Sequence, residues 1–123
     1  YMNSPQLLDN KFNLRSDKRF YFAGQMTGVE GYVESAASGL MAGLHAARAA
    51  LELEAVEFPS ETAHGALANY ISNPEVKEFQ PMNVNFGLIP PLTQRIRKKR
   101  EKNAMIAARS LEQLDILKEK YNI

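Results

Sequence analysis

The sequence contains no cysteine among its 123 residues. Disulfide bridges, thiolate nucleophiles and thiolate metal sites are therefore excluded within this chain. No apolar run approaches the roughly 18 residues of a membrane-spanning helix, and no signal-peptide pattern is present. These absences favour a cytoplasmic location. Because the chain begins with Tyr1 rather than Met, we expect it to be a piece of a longer protein.

The composition is that of an ordinary globular domain, but its charge is unevenly distributed. Hydrophobic residues make up 45% and charged residues 24% of the chain, which argues against disorder. Residues 95–102, RIRKKREK, hold six of the 15 basic residues and one of the 14 acidic residues. That segment carries a local charge of +5 and leaves −4 for the remainder of the chain. A polyanionic partner is therefore predicted at this segment and not elsewhere.

A single strand is predicted over residues 19–24, RFYFAG. Its apolar residues are consecutive, as in a strand buried on both faces. One strand cannot satisfy its own backbone groups. We therefore expect its partner strands to lie outside this chain, or the fragment to self-associate through the unpaired strand.

Three helices are predicted from the spacing of apolar residues. The first covers residues 31–54, the second begins with Ser60 as N-cap and ends at residues 73–74, and the third covers residues 93–121. Between the last two lies a long connection that carries Pro and Asn and has no helical period. A loop of that length is typical of a functional segment or of one draped over another surface.

Residues 23–48, AGQMTGVEGYVESAASGLMAGLHAAR, contain many weak helix formers. A glycine turn before a helix presents free backbone N–H groups, which favour a negative group or an electron-rich oxygen. Gly24, Gly28 and Gly31 allow tight turning and close approach of a flat ligand. Small residues then recur every four positions, which predicts a close-packed neighbour because each interior glycine costs on the order of 1 kcal/mol. Tight helix packing and a ligand site both stay open, since GQMTG is not GxGxxG.

The segment FYFAGQMTGVEGYVESAASGLMAG resembles the C-terminal flavin-contacting segment of the bacterial folate- and FAD-dependent tRNA uracil-5 methyltransferases. The similarity continues through YMNSPQLL, PSETAHGALANYI and FQPMNVNFGLIPPL, so that it covers nearly the whole chain. A related flavoprotein family, which carboxymethylaminomethylates the wobble uridine of tRNA, has a similar turn. The Val29-Glu30 pair and the MNVNFG loop at residues 82–87 favour the methyltransferases. A stand-alone helical tRNA- or protein-binding module is the third alternative.

The resemblance implies a mostly α fragment, with three helices and one short strand, of a larger α/β FAD-binding fold of the glutathione-reductase type. Residues 1–54 would supply the strand, turn and helix of the FAD-binding domain. Residues 55–91 would form a helix and the long loop, and residues 92–123 a C-terminal basic, amphipathic helix. The GxGxxG half that grips the remainder of FAD is absent from the chain, so the fragment is expected to be inactive alone.

The reaction implied by the resemblance transfers a one-carbon unit from methylenetetrahydrofolate to C5 of the T-loop uridine of tRNA. Reduced FAD takes part and NAD(P)H supplies the electrons, while the nucleophile and the base are expected outside this chain. Donors along the pyrimidine edge of the flavin would stabilise negative charge on the reduced ring. Gln25 stands where many proteins of this architecture carry an Asp near the ribityl stem. The cofactor-binding residues implied are Gly24, Gln25, Thr27, Gly28, Val29, Glu30, Gly31 and Tyr32.

Two further groups of residues are candidates for substrate contacts. Asn83, Asn85 and Phe86 suit amide hydrogen bonding and ring stacking near folate or a base, although Asn side chains also staple loops of this kind. The basic cluster suits tRNA phosphates if it lies on one side of a helix, the alternative being a solvated basic face. No aromatic residue interleaves that cluster, so base stacking is not predicted there. The tRNA-binding candidates are Arg95, Lys98, Lys99 and Lys102.

The two histidines do not predict a metal site. His45 falls on the first predicted helix and His64 on the second, and neither has a second ligand one turn away. We therefore predict no metal.

Overall fold

The computed structural model describes residues 1–123 and is mostly helical, as the sequence predicts. Helix α1 is a single turn, and three longer helices follow it. No helix combines the length and the apolar character that crossing a bilayer requires. The helices are α1 (Ser4–Leu7), α2 (Tyr32–Ala50), α3 (Ala63–Ser72) and α4 (Lys99–Tyr121), with 3-10 turns at Gln25–Thr27 and Phe86–Leu88.

The predicted strand at residues 19–24 is not formed, and that prediction is wrong. The segment instead makes a narrow antiparallel pairing with residues 12–14 of the same chain. The Leu14 amide donates to the Phe20 carbonyl at 2.9 Å, and the Phe22 amide donates to the Phe12 carbonyl at 2.8 Å. One edge of this segment is therefore paired within the chain, contrary to the predicted strand whose partners all lie outside it.

The helix boundaries differ from the predicted ones at three ends. Helix α2 ends at Ala50 rather than residue 54. Helix α3 is capped by Thr62, not Ser60, because the Thr62 hydroxyl accepts a 2.9 Å bond from the Gly65 amide. Helix α4 begins at Lys99 rather than Thr93, and no side chain caps it.

The main core joins the turn segment to α2 and α3. It includes Leu8, Phe12, Met41 and Ile71, all with no exposed surface, and Phe79 from the long connection packs on the same cluster. A smaller cluster packs the end of α4 onto the chain between α2 and α3, through the side chains of Val56, Leu117 and Tyr121. The main core, which contains Val29 of the turn and Phe79 of the long connection, fixes their relative position.

The face of α2 that carries the predicted small-residue stripe has no neighbour within the chain. A Cβ built on Gly39 or Gly43 would have no atom within 4 Å. Val33, Leu40 and Leu51 are 80%, 67% and 69% exposed, whereas the residues that α2 buries lie on its other side. Packing inside this chain therefore does not explain the two helix glycines, and the predicted close neighbour is not a part of this chain.

Candidate functional site

The glycine turn adopts the backbone conformation that its sequence predicts. Gly24, Gly28 and Gly31 have φ angles of +80°, +92° and +88°, a region that other residues rarely adopt. A Cβ on Gly28 would overlap the ring of Phe79, and one on Gly31 would overlap the Asn83 amide and the carboxylate of Glu34. The backbone conformation therefore favours glycine at all three positions, and at position 28 the buried Phe79 ring also leaves no room for a Cβ.

Two buried serines hold the turn in place. The role of neither serine is evident from the sequence. The Ser38 hydroxyl in α2 accepts a 2.8 Å bond from the Gly24 amide, and the Ser4 hydroxyl donates to the Thr27 carbonyl at 2.6 Å. The Thr27 hydroxyl donates to the Gly24 carbonyl at 2.7 Å, and Thr27 is fully buried. Thr27 therefore supports the turn from within and offers no free polar group to a ligand. Short polar residues before and after a glycine turn are the only sequence signal for these contacts.

The first turn of α2 leaves backbone donors without acceptors. The amides of Tyr32 and Val33 make no hydrogen bond within the chain, and no side chain caps the helix. By contrast, the Gly28 amide donates to the Gln25 carbonyl at 3.0 Å and the Glu30 amide to the Met82 carbonyl at 3.1 Å. Of the residues predicted to line a ligand, Tyr32 thus offers a free donor at the positive end of a helix.

An open depression lies beside the turn. It has a volume of about 540 Å³ and is lined by Tyr1, Gln25, Met26, Glu30 and Pro81. The depression lies on the Gln25 side of the turn, whereas the space at Gly28 and Gly31 is occupied by side chains of the chain itself. Space for a ligand is present next to two of the predicted cofactor-binding residues, Gln25 and Glu30.

The long loop reaches the glycine turn by backbone pairing. Val29 and Met82 form a parallel bridge, in which the Met82 amide donates to the Gly28 carbonyl at 2.9 Å. The Asn83 side chain then donates to the Glu34 carboxylate at 3.3 Å, at the start of α2. The structure thereby brings Asn83, a predicted substrate contact, next to residues predicted to bind cofactor.

The other two loop candidates, Asn85 and Phe86, differ in whether their side chains are free to contact a ligand. The Asn85 side chain accepts from the Gly87 amide at 2.9 Å and donates to the Asn83 carbonyl at 3.2 Å. Asn85 therefore staples the loop, which was one of the two alternatives open from the sequence. Phe86 is 46% exposed and contributes its ring to the surface.

The basic cluster does not form one side of a helix, and that prediction is wrong for two of its four candidates. Arg95 precedes α4, and Lys98 is its N-cap residue, while Lys99 and Lys102 lie in its first turns. All four side chains are exposed and none forms an ion pair with an acidic residue of the chain. The cluster is therefore a solvated group of cations around the start of α4.

Arg109 fixes the proline segment against α4. Its guanidinium donates to the carbonyls of Pro90 and Pro91, the latter at 3.3 Å. One forked side chain on α4 thus holds the end of the long loop. This role of Arg109 is not evident from the sequence, because its partners lie 18 and 19 residues away.

The two histidines flank one aromatic ring and do not form a metal site. The His45 and His64 rings lie 5.9 Å and 5.6 Å from the Phe58 ring, respectively. No group of three or more His, Asp or Glu side chains in the structure could hold a metal ion. Burial lowers the pKa of both histidines, and for His45 the charge of Lys11 lowers the pKa further. Neither Nδ1 atom has a hydrogen-bond partner.

We expect the protein to lose stability when the pH falls below the ordinary histidine pKa of 6.5. The unfolded chain binds protons first, because the folded state holds both histidine pKa values below that value. The free energy of unfolding should therefore fall from about pH 6.5 until the lower folded-state pKa values are passed. Urea unfolding of the chain and of a His45→Gln, His64→Gln variant measures this. The free energy of unfolding of the variant should depend less on pH between neutrality and the range in which carboxylates titrate. Equal slopes in the two proteins would contradict the assignment of this pH dependence to the histidines.

Comparison with known proteins identifies the relatives of the chain. A family model described as Glucose inhibited division protein A matches residues 1–54. Over 119 residues the chain is 54% identical to the methylenetetrahydrofolate–tRNA-(uracil-5-)-methyltransferase TrmFO of Pelotomaculum thermopropionicum and 53% identical to that of Lactiplantibacillus plantarum. It is 57% identical over 116 residues to that of Streptococcus pyogenes.

These matches cover nearly all of this chain and a minor part of each relative. They include 97%, 97% and 94% of the chain, but only 27%, 27% and 26% of the respective relatives. The chain thus spans about a quarter of the length of the proteins it matches. With 53% to 57% identity over at least 94% of its residues in these comparisons, the chain belongs to the TrmFO family.

Proposed function

We propose that this chain is part of a cytoplasmic flavoenzyme that methylates C5 of the T-loop uridine of tRNA. Methylenetetrahydrofolate is the one-carbon donor, reduced FAD takes part, and NAD(P)H is the reductant. The observation that carries the proposal is the glycine turn, after which the Tyr32 and Val33 amides are free and beside which an open depression lies at Gln25. The names of the relatives, which match nearly the whole chain, favour this function over wobble-uridine modification and over a stand-alone binding module.

The residues of the turn fit a flavin. Free amides at Tyr32 and Val33 suit the electron-rich edge of such a ring, and Gly24 leaves open space where a Cβ would stand. FAD supplies the redox chemistry when bound. The chain's own contribution is a fixed set of donors that stabilises negative charge without reorganisation. Gly24 and Gln25 border the turn on the side proposed for the ribityl stem.

The substrates are proposed to meet on the loop beside the turn. Asn83 is tied to the start of α2 through Glu34, and Phe86 exposes its ring three residues further on. Holding a folate, a flavin and a uridine close together is the main contribution that such a site makes to the reaction rate. Asn83 and Phe86 are the residues we assign to folate or base contacts.

The rest of the longer protein is proposed to contain an α/β FAD-binding fold of the glutathione-reductase type. The relatives are about four times as long as this chain, so there is sufficient chain to form it. The exposed face of α2, with Val33, Leu40 and Leu51, suits burial against that part. Gly39 and Gly43 would let the neighbour approach closely.

Methyl transfer by the full-length protein tests the proposal. With labelled methylenetetrahydrofolate, NAD(P)H and unmodified tRNA, label should appear at C5 of the T-loop uridine, and the purified protein should contain FAD. A tRNA in which cytidine replaces that uridine is the matched control and should stay unlabelled. Label at the wobble position, or a colourless protein that cannot be reconstituted with FAD, would overturn the proposal.

Reversing two charges of the basic cluster should weaken tRNA binding. In a Lys98→Glu, Lys99→Glu variant, the slope of log K against log salt should become shallower by about 2, roughly one for each lost phosphate contact. A Lys118→Glu, Lys120→Glu variant makes the same charge change at the other end of α4. Titrations of tRNA at several salt concentrations compare the two. An unchanged salt slope in the Lys98→Glu, Lys99→Glu variant would exclude contacts between the basic cluster and tRNA phosphates.

A further inference from the structure

A groove runs between the long loop and the first half of α4. Its apolar end has a volume of about 320 Å³, and seven of its nine lining residues are hydrophobic. The other end, of about 690 Å³, is bordered by Arg97, Lys99 and Lys102. Phe86 and Ile106 line both ends, so the two depressions share one floor.

The groove thus joins two features that are separate in the sequence. The sequence predicts no base stacking at the basic cluster, because the cluster contains no aromatic residue. The fold places Phe86, which lies more than ten positions earlier, on the same groove as Lys99 and Lys102. An exposed ring and a row of cations therefore face one space. In the folded chain, base stacking beside the basic cluster is expected.

The cations on the groove have no partner in the chain. Arg97, Lys99 and Lys102 are exposed, no acidic residue lines the groove, and the three ion pairs of the structure involve other residues. Lys99 is also the first residue of α4, where a positive charge opposes the helix dipole. An anion bound here would relieve both the mutual repulsion and the unfavourable dipole interaction.

We propose that this groove binds one unstacked nucleotide of a single-stranded RNA segment. The base packs on Phe86 over the apolar floor, and the adjoining phosphates lie against Lys99 and Lys102. An apolar peptide would suit the floor and leave the cations unpaired, whereas an acidic peptide would do the opposite. A nucleotide satisfies both ends of the groove, because it carries a flat π surface next to a negative charge. The inference deepens the proposed function by naming where the tRNA substrate is held.

Binding of a labelled single-stranded oligouridine to the full-length protein tests the inference. Phe86→Ala should weaken binding by about 5- to 100-fold, the range for losing one stacked base, and should leave the salt slope unchanged. Phe86→Trp should retain the affinity, because it keeps a stacking surface. Lys99→Gln with Lys102→Gln should make the salt slope shallower by about 1.4 for single-stranded RNA. Lys118→Gln with Lys120→Gln is the control for charge removal.

The outcomes separate this inference from the proposed function. Oligouridine binding needs neither flavin nor folate, so binding that responds to these variants supports the groove even if methyl transfer is absent. RNA binding that Phe86→Ala leaves unchanged, in a protein that still methylates tRNA, would overturn the groove and leave the proposed methyl transfer intact. Equal affinity for single-stranded and duplex RNA of the same length would also overturn it, since a duplex keeps its bases stacked. If Phe86→Ala changed the oligomeric state and left the RNA affinity unchanged, the inference would likewise be overturned. The groove would then be the binding surface for a second copy of the protein.

Discussion

Replacing Gly28 by valine should remove FAD from the full-length protein. The Gly28 backbone has a φ of +92°, where strain on a β-branched residue costs about 1–3 kcal/mol, and the added Cβ would overlap the Phe79 ring. Relief of that overlap moves either the turn or the loop that pairs with it. Returning the displaced turn to the FAD-binding position would cost that strain, and since about 1.4 kcal/mol corresponds to a factor of ten, we expect FAD affinity to fall at least about fivefold. The ratio of flavin absorbance to protein absorbance after purification, followed by FAD titration, measures this loss.

Thr62→Ala is the control for a general loss of stability. It removes the cap of α3, away from the turn, and should cost about 1 kcal/mol of unfolding free energy. The Thr62 hydroxyl accepts from the Gly65 amide and donates to the Pro59 carbonyl at 2.6 Å, and neither partner belongs to the turn. This variant should be less stable but keep its flavin. A Gly28→Val protein that retains its full FAD content would show that the turn is wrongly placed at the cofactor.

Replacing Gly65 by alanine should destabilise the chain strongly for such a small change. A Cβ at this position would overlap the carbonyl oxygens of Phe58 and Pro59, which are backbone atoms and cannot rotate away. Gly65 is buried in the first turn of α3, and its amide donates to the Thr62 hydroxyl. This cap bond holds Gly65 in place against the two carbonyl groups. We expect a loss of about 1–3 kcal/mol, as for overpacking in a core. Urea or thermal unfolding of the 123-residue chain measures it.

Gly39→Ala is the matched control, because it makes the same chemical change inside a helix with free space. No atom lies within 4 Å of the Cβ that it adds. Alanine at this position should therefore stabilise the isolated chain, by up to about 1 kcal/mol from helix propensity. If both variants were destabilised equally, crowding at Gly65 would not be the cause of its effect.

The sequence predicts local backbone features of this chain well. Glycines at 24, 28 and 31 predict tight turning, and all three have positive φ angles, because glycine adopts that region without steric cost. Helix α2 is recognisable from its spacing, since the 3.6-residue period of its apolar residues does not depend on what they contact. The similarity of the turn and of the MNVNFG loop to a known family also identifies the relatives correctly.

The sequence does not show which groups the fold brings together. Phe86 and Lys102 share a groove only because Arg109 and Ile106 hold the long loop against α4. The pairing of Phe22 with Phe12 replaces the predicted strand, since a short turn allows a local partner that periodicity does not reveal. The direction faced by α2 is also hidden, because two of its faces are apolar enough to be buried. Long-range contacts of this kind depend on packing, which a local pattern does not encode.

Amide hydrogen exchange in the full-length protein, with and without FAD, tests the placement of the turn most directly. The amides of Tyr32 and Val33 have no acceptor in the chain, so they should exchange quickly without FAD and become protected when it binds. Amides in the last turns of α4, around Lys118, serve as the internal reference and should not change. Protection by FAD elsewhere in the protein, with Tyr32 and Val33 still exchanging at their original rates, would contradict the assignment of this turn to the flavin.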